Sequence, residues 1–223
     1  MFIEQGIKPE NKFWKYILGF LLFMIAYTIG QVPFTLAVLY KSTSMGKGIP
    51  TDPSELMNVL DSNLTLFLLL LTFVAAFIGI YIAVRYINQQ KFIEIVTARK
   101  KVDWNRVFFS FSLWAVFTIV SIAIMYYASP QDFVVNFNLV PFLGLAVIAI
   151  LLIPIQTSTE EFVFRGYLMQ GFGTLFLNKW APLLTTSVLF GLMHIFNPEV
   201  DKIGYIILIY YIGTGLFLGI ITL

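Results

Sequence analysis

Two adjacent carboxylates, Glu160 and Glu161, stand directly after a long apolar run, and Arg165 follows one helical turn later. The only histidine of the protein, His194, lies inside the next apolar run. Ionisable groups at membrane depth cost about 2.5–3.5 kcal/mol each on insertion scales, so in an apolar chain they are functional candidates from the outset. On a helix, Glu161 and Arg165 are i and i+4 and meet on one face, whereas Glu160 is turned by about 100° from its neighbour. Arg165 can therefore neutralise Glu161 and leave Glu160 without a sequence-local counter-charge. A partly desolvated carboxylate in that position suits general-base chemistry.

Each of these residues also has a plainer reading. Ser158-Thr159-Glu160-Glu161 fits the S-x-x-E capping box, with Ser158 as the cap and Glu161 bonding back to its backbone. The helix dipole also favours acids in a first turn. Capping accounts for Glu161 and only weakly for Glu160, and it leaves the arginine unexplained. Phe190-Gly191-Leu192-Met193-His194 puts Phe190 one turn before His194 on the same face, where an aromatic ring can fix the imidazole rotamer. Gly191 admits a second helix closely. A neutral histidine in a helical bundle polarises a carbonyl, holds a water or ligates a metal. The bland alternative is a histidine at a helix end, hydrogen-bonded to a backbone carbonyl.

A divalent metal such as zinc would be short of ligands. The H-E-x-x-H signature is absent, the chain has no cysteine, and catalytic zinc takes about three protein ligands. Any metal would rest on Glu160 and His194. Asn197, Glu199 and Asp201 follow His194 closely but read as a solvated turn directed away from Glu160. No serine or threonine stands beside a histidine as a nucleophile. The net charge of +2 and the lack of a basic stripe give no basis for nucleic-acid binding.

The elements that must position these groups follow from composition. Of 223 residues, 59% are hydrophobic and 12% charged, with a mean hydropathy of +0.86. Soluble domains carry about 25% charged residues, so the fold class expected is all-α, a polytopic helical membrane bundle. Charge-free runs over 16–40, 64–84, 107–129, 133–159, 180–196 and 203–223 predict about six transmembrane helices. Runs of this length without alternating polarity exclude strands. The first run is too long for a signal-peptide core, and no cleavage site follows it, so it is retained. Pro33, Pro141, Pro154 and Pro182 should kink helices or mark their ends.

Segment 85–106 carries Arg85, Lys91, Arg99, Lys100, Lys101 and Arg106, which places it in the cytoplasm. The N-terminus, with Lys8, Lys12 and Lys15, lies on the same side. The loops 41–63 and around Asp132 then lie outside, and Glu160 returns to the cytoplasmic face. Phe92, Ile93, Ile95, Val96 and Trp104 alternate with the bases of 91–106, which either lies on the anionic leaflet as an interfacial helix or only fixes topology. No repeat or linker divides the chain, so one domain, 1–223, is expected. A small transporter using the Glu pair as a proton relay is disfavoured, because no paired interrupted helices indicate an inverted repeat.

Taken together and in this order, E-E-x-x-x-R at Glu160–Arg165 and F-x-x-x-H at Phe190–His194, with the Gly213, Gly215 and Gly219 helix after them, resemble a known family. It is the CAAX-protease and bacteriocin-processing (Abi) family of intramembrane endopeptidases, which includes type II CAAX prenyl proteases. The resemblance covers about 140–223 and implies a protease-like core over about 133–223. It implies that Glu160 activates the attacking water, that Glu161 and Arg165 form a supporting ion pair, and that His194 binds the water or stabilises the oxyanion. Phe190 would be the packing residue of its motif. The implied partners are the lipid bilayer and a peptide or lipidated-protein substrate, and the implied location is a bacterial inner membrane with the N-terminus cytoplasmic.

The family has been described both as metalloproteases and as glutamate-dependent proteases, and the ligand count favours the second description. One departure concerns a later family motif, a second histidine followed by asparagine, which the chain does not reach before Leu223. Truncation before a further helix or two is therefore expected, with the longer chain an enzyme and this piece inactive. Were Leu223 the true end, the alternative is a non-catalytic membrane adaptor of the same fold that binds a partner membrane protein.

Overall fold

The computed structural model describes residues 2–46, 48, 50, 52–176 and 178–223. Ten α-helices appear among them, α1 (Phe13–Ser44), α2 (Pro53–Met57), α3 (Ser62–Ile82), α4 (Ile93–Val96), α5 (Trp104–Ala128), α6 (Leu139–Glu161), α7 (Met169–Phe176), α8 (Trp180–Leu192), α9 (Pro198–Ile203) and α10 (Ile207–Thr222), and no strand. Two 3₁₀ turns, Ile3–Gly6 and Pro130–Asp132, and two wide π-helical turns complete the architecture. Ala83–Ile87 prolongs α3, and Phe162–Leu168 fuses α6 and α7. Four helices are long and apolar enough to cross a membrane: Phe13–Ser44, Ser62–Ile87, Trp104–Ala128 and Leu139–Phe176. Trp180–Leu192 and Ile207–Thr222 are shorter apolar helices. The chain is thus the all-α integral membrane protein that its composition requires.

The fourth apolar run departs from its expected bounds at both ends. Residues 133–138 are not helical, and α6 starts only at Leu139. The helix does not stop at Thr159 but continues through the wide turn to Phe176. About 24 Å of further helix, at about 1.5 Å per residue, therefore separates Glu160 from Phe176. The glycine-rich stretch after the carboxylates is helical as well, and its glycines mark close approaches. A Cβ on Gly166 would lie 2.5 Å from the Ile95 carbonyl oxygen, and one on Gly171 would lie 2.8 Å from the Tyr16 ring. Pro33 and Pro154 sit inside α1 and α6.

Packing centres on the wide turn. Its Val163, Phe164, Arg165, Gly166, Tyr167 and Leu168 are all buried, and it touches α1, α4, α8 and α10. On one side α1 lies along α3, where Thr72 Oγ1 donates to the Gly30 carbonyl at 3.2 Å, and α3 lies along α6. On the other side α8 pairs with α10. Helix α5 carries no buried residue.

Part of the basic segment 91–106 packs into the protein rather than forming a simple loop. Ile95 is 2% exposed, Phe92 packs edge-on against Phe162 at 5.3 Å, and Glu94 pairs with Lys8 at 2.7 Å. The bare backbone at Gly166 gives Ile95 its seat. A buried polar layer holds this end together. Gln170 Nε2 donates to the Glu94 carbonyl at 2.7 Å and to the Phe2 carbonyl at 3.3 Å, while Gln90 Nε2 donates to Gln170 Oε1 at 3.3 Å. Further along, Arg99 and Arg106 both pair with Asp103, at 2.9 and 3.3 Å.

Candidate active site

Ser158 lies in the interior of a continuous helix, so the capping-box explanation of Glu161 fails. The local hydroxyls bond backward instead, as when Thr159 Oγ1 donates to the Ile155 carbonyl at 2.6 Å. Polar side chains inside an apolar helix have few other acceptors. The wide turn begins immediately after Glu161. Such turns hold one residue beyond the α-helical count and recur at functional positions.

Glu161 Oε1 lies 2.9 Å from Arg165 Nη1. Arg165 is buried, whereas the Glu161 side chain is 37% exposed. The contact is one of charge at short range rather than an aligned hydrogen bond, for neither Nη atom has a hydrogen-bond acceptor among the described residues. The other face of the guanidinium is covered by an aromatic ring: Arg165 Cζ lies 4.1 Å from the Phe190 centroid. Phe164 meets the same ring edge-on at 5.3 Å. Phe190 thus joins the two motifs, a role beyond the packing expected of it.

Glu160 is half-buried and accepts a hydrogen bond from Gln156 Nε2 at 3.3 Å. It lies close enough to His194 and Arg165 to interact with both electrostatically. Glu160 and His194, from separate apolar segments, thus fall within electrostatic range of each other. Tyr27 of α1 also falls within electrostatic range of Glu160.

His194 follows α8 by two residues and is half-buried. Its Nδ1 lies 2.7 Å from the Phe190 carbonyl oxygen. A carbonyl only accepts, so Nδ1 carries the proton and Nε2 of the neutral ring presents a lone pair. The helix-end hydrogen bond of the bland reading is therefore present, and it fixes the tautomer without occupying Nε2. The Phe190 ring lies 4.7 Å from the imidazole, and Tyr211 of α10 stacks on it at 4.2 Å and 19°. Asn197 is not a solvated turn residue pointing elsewhere. It is half-buried, and its Nδ2 donates to the Tyr211 hydroxyl oxygen at 3.5 Å.

As ligands for a divalent metal, Glu160 and His194 Nε2 supply two donors. Among the described residues no group of three His, Cys, Asp or Glu side chains converges. A catalytic zinc takes about three protein ligands, so this donor set does not fit one, and no step is derived through it. An apolar cleft of about 310 Å³ opens between α3 and α6, lined by Val74, Phe77, Pro154, Ile155, Ser158 and Phe162, on a face of α6 away from Glu160.

The sequence motifs locate Glu160, Glu161, Arg165, Phe190 and His194, and the structure brings all five to one region. Gln156, Tyr27, Asn197 and Tyr211 escape sequence reasoning. Gln156 was within reach, as a lone amide one turn before Glu160. Tyr27 and Tyr211 are two of 11 tyrosines with nothing in their spacing to set them apart.

Residues 136–223 match the family described as Type II CAAX prenyl endopeptidase Rce1-like. The chain is also 31% identical over 199 residues to the Uncharacterized protein YyaK of Bacillus subtilis (strain 168), a match that takes in 89% of this chain and 66% of that protein. The chain thus spans just under two thirds of the length of this curated relative. No solved structure matches.

Proposed function

We propose that this chain, whose residues 136–223 match the Rce1-like family of type II CAAX prenyl endopeptidases, is an intramembrane endopeptidase in which Glu160 activates the attacking water. What supports this reading is that Glu160 lies within electrostatic range of an imidazole whose Nδ1 is taken up by the Phe190 carbonyl. In this mechanism one water bridges the two groups, giving one hydrogen to the Glu160 carboxylate and the other to His194 Nε2. Its oxygen lone pair is then left to face a peptide carbonyl.

As the new C–O bond forms, Glu160 takes the proton and the carbonyl π electrons move onto oxygen. When the tetrahedral adduct collapses, the C–N bond breaks and the leaving nitrogen takes the proton back from Glu160. General-base assistance of this kind contributes about 10²–10⁴-fold. Gln156 orients the Glu160 carboxylate. Glu161 and Arg165 form the supporting ion pair, and Phe190 holds Arg165 in place. The chain acts as one domain, 1–223, with its protease-like core from about 133.

The basic residues of 85–106 and the N-terminal lysines orient this end toward the cytoplasm of a bacterial inner membrane. Cleavage then takes place at the depth of Glu160, above the cytoplasmic end of its helix. Peptides and lipidated C-termini are suitable substrates.

The test is Glu160→Gln in the purified full-length protein, presented with peptides in proteoliposomes. Cleavage is expected to vanish while thermal unfolding stays at the wild-type temperature. Undiminished turnover would reject the mechanism. Full complementation of a deletion strain by the same variant would favour the adaptor function instead.

A further inference from the structure

A second group of residues, at the start of α5, takes no part in the proposed mechanism. Positions 99–106 hold four bases, Arg99, Lys100, Lys101 and Arg106, with Asp103 as their only acid. Asp103 is fully engaged. Its side chain caps α5 by accepting from the Arg106 amide, and it pairs with Arg99 at 2.9 Å and with Arg106 at 3.3 Å. Lys100 and Lys101 are exposed, and neither pairs with a carboxylate among the described residues. Beside them opens a hollow of about 810 Å³ whose lining includes both lysines, Ile93, Val102 and Trp104. Small-ligand sites span about 300–1,000 Å³.

We propose that this hollow holds the headgroup of an anionic phospholipid of the surrounding bilayer, with the acyl chains lying along α5. Charge favours it. The stretch 99–106 carries a net +3, four bases less one acid, and the two ammonium groups without an ion pair line the hollow itself. An ammonium is a compact, strongly charged donor that suits a phosphate oxygen. Position favours it as well. Helix α5 buries none of its residues, which leaves its apolar side chains to lipid, and the hollow stands at its first turn, where headgroups meet hydrocarbon. Trp104, 62% exposed, marks that boundary, as tryptophan does at membrane–water interfaces generally. The apolar surface is also continuous. The Trp104 ring lies 6.2 Å from that of Phe108, and Phe108 and Phe111 are exposed. Positions 104, 108 and 111 share one helix face, so an apolar track leads from the hollow along the span.

The hollow is tied to the body of the protein. Ile93 belongs to α4, whose Ile95 is 2% exposed in the seat left by Gly166. The Arg99 amide donates to Thr97 Oγ1 at 3.2 Å, which fixes the bend leading into the basic stretch. A headgroup bound here sits on a surface anchored to the wide turn rather than on a loose tether. A free phosphate would use the same two ammonium groups but would leave the aromatic track without a role, so the lipid is the better fit. The endopeptidase reading is not needed for this inference, since none of these residues meets peptide or water in the mechanism.

The experiment titrates short-chain dibrominated phosphatidylglycerol, and in parallel the neutral dibrominated phosphatidylcholine, into the full-length protein in uncharged detergent. Bromine quenches a nearby tryptophan, and Trp104→Phe identifies the share of quenching that belongs to Trp104. Half-quenching of that share should need about 10–30-fold less phosphatidylglycerol than phosphatidylcholine, the usual strength of two lysines at an anionic surface. The preference should vanish in Lys100→Gln/Lys101→Gln, with thermal unfolding in phosphatidylcholine as in wild type. Lys12→Gln/Arg85→Gln removes the same amount of exposed charge elsewhere and should keep the preference. Inorganic phosphate at millimolar concentration should not displace the lipid. Equal quenching by the two lipids in wild type would overturn the proposal and leave these bases as topology signals alone. A preference that survives in Lys100→Gln/Lys101→Gln would do the same. Equal loss in both double variants would overturn it in favour of diffuse charge, and displacement by inorganic phosphate in favour of a free-anion site.

Discussion

The guanidinium of Arg165 lies against the ring of Phe190, 4.1 Å from its centroid, and this contact joins the two motifs. Arg165 leaves the helix inside the wide turn, whereas Phe190 belongs to α8. The position of Glu160 relative to His194 therefore depends on an aromatic ring that touches neither peptide nor water in the proposed mechanism.

Phe190→Leu should separate these roles. The substitution removes a cation–π contact worth about 0.5–2 kcal/mol and edge-to-face contacts worth about 0.5–1.5 kcal/mol. At roughly 2–4 °C per kcal/mol for a chain of this size, the unfolding temperature in detergent should fall by several degrees. Peptide cleavage should fall more than the residual folded fraction explains. Equal losses in both measurements would reduce Phe190 to packing.

Arg165→Lys keeps the positive charge opposite Glu161 but loses the flat surface that covers the ring, so it is not a conservative change here. Cleavage should drop although the ion pair survives. In a double-mutant cycle with Phe190→Leu, the two losses should couple by about 0.5–2 kcal/mol. Strict additivity would mean that the ring and the guanidinium act independently.

How much of this was legible in the chain can be judged residue by residue. Charge-free stretches locate the long helices to within a few residues, because a bilayer accepts little else. The run 16–40 became Phe13–Ser44, and 64–84 became Ser62–Ile87. The spacing of Glu161 and Arg165 gave their contact correctly, since i and i+4 positions meet on one face. The wide turn was invisible, because nothing in Phe162-Val163-Phe164-Arg165 distinguishes it from an ordinary apolar helix. Ser158 was misleading, since the same residue pattern caps a helix start and fills a helix interior. Ile95 and Tyr211 owe their positions to distant partners, Gly166 and His194, and pairings between helices leave no trace in local periodicity.

Gly191→Ala and Gly213→Ala offer a matched pair on the same interface. A methyl at 191 meets the backbone of Ile212, whereas nothing lies within 4 Å of one at 213. The first should destabilise by about 1–3 kcal/mol through overpacking and displace Tyr211 from His194. The second should be neutral, or stabilising by about 0.4–1 kcal/mol. Thermal unfolding of both variants checks the contrast, and similar values would argue against the α8–α10 contact.

Gln170→Leu tests the buried polar layer. It leaves the Glu94 and Phe2 carbonyls and one Gln90 amide hydrogen without their partner, at a cost of about 1–3 kcal/mol for an orphaned group. Segment 91–96 should then exchange its amide hydrogens faster, as measured by deuterium uptake and mass spectrometry. Unchanged uptake there would mean that Ile95 alone holds the segment.

The wide turn at Phe162–Leu168 carries a residue more than an α-helical path would use. Deleting one residue from it would let the backbone close into regular α-helical bonding, and the lipid-facing rod would stay whole. The part before the turn would nevertheless swing by about 100° against the part after it. Glu160 would point at a different neighbour although no side chain near it had changed. Its aim is thus encoded in residue count, and an insertion or deletion there would alter the site more than most substitutions.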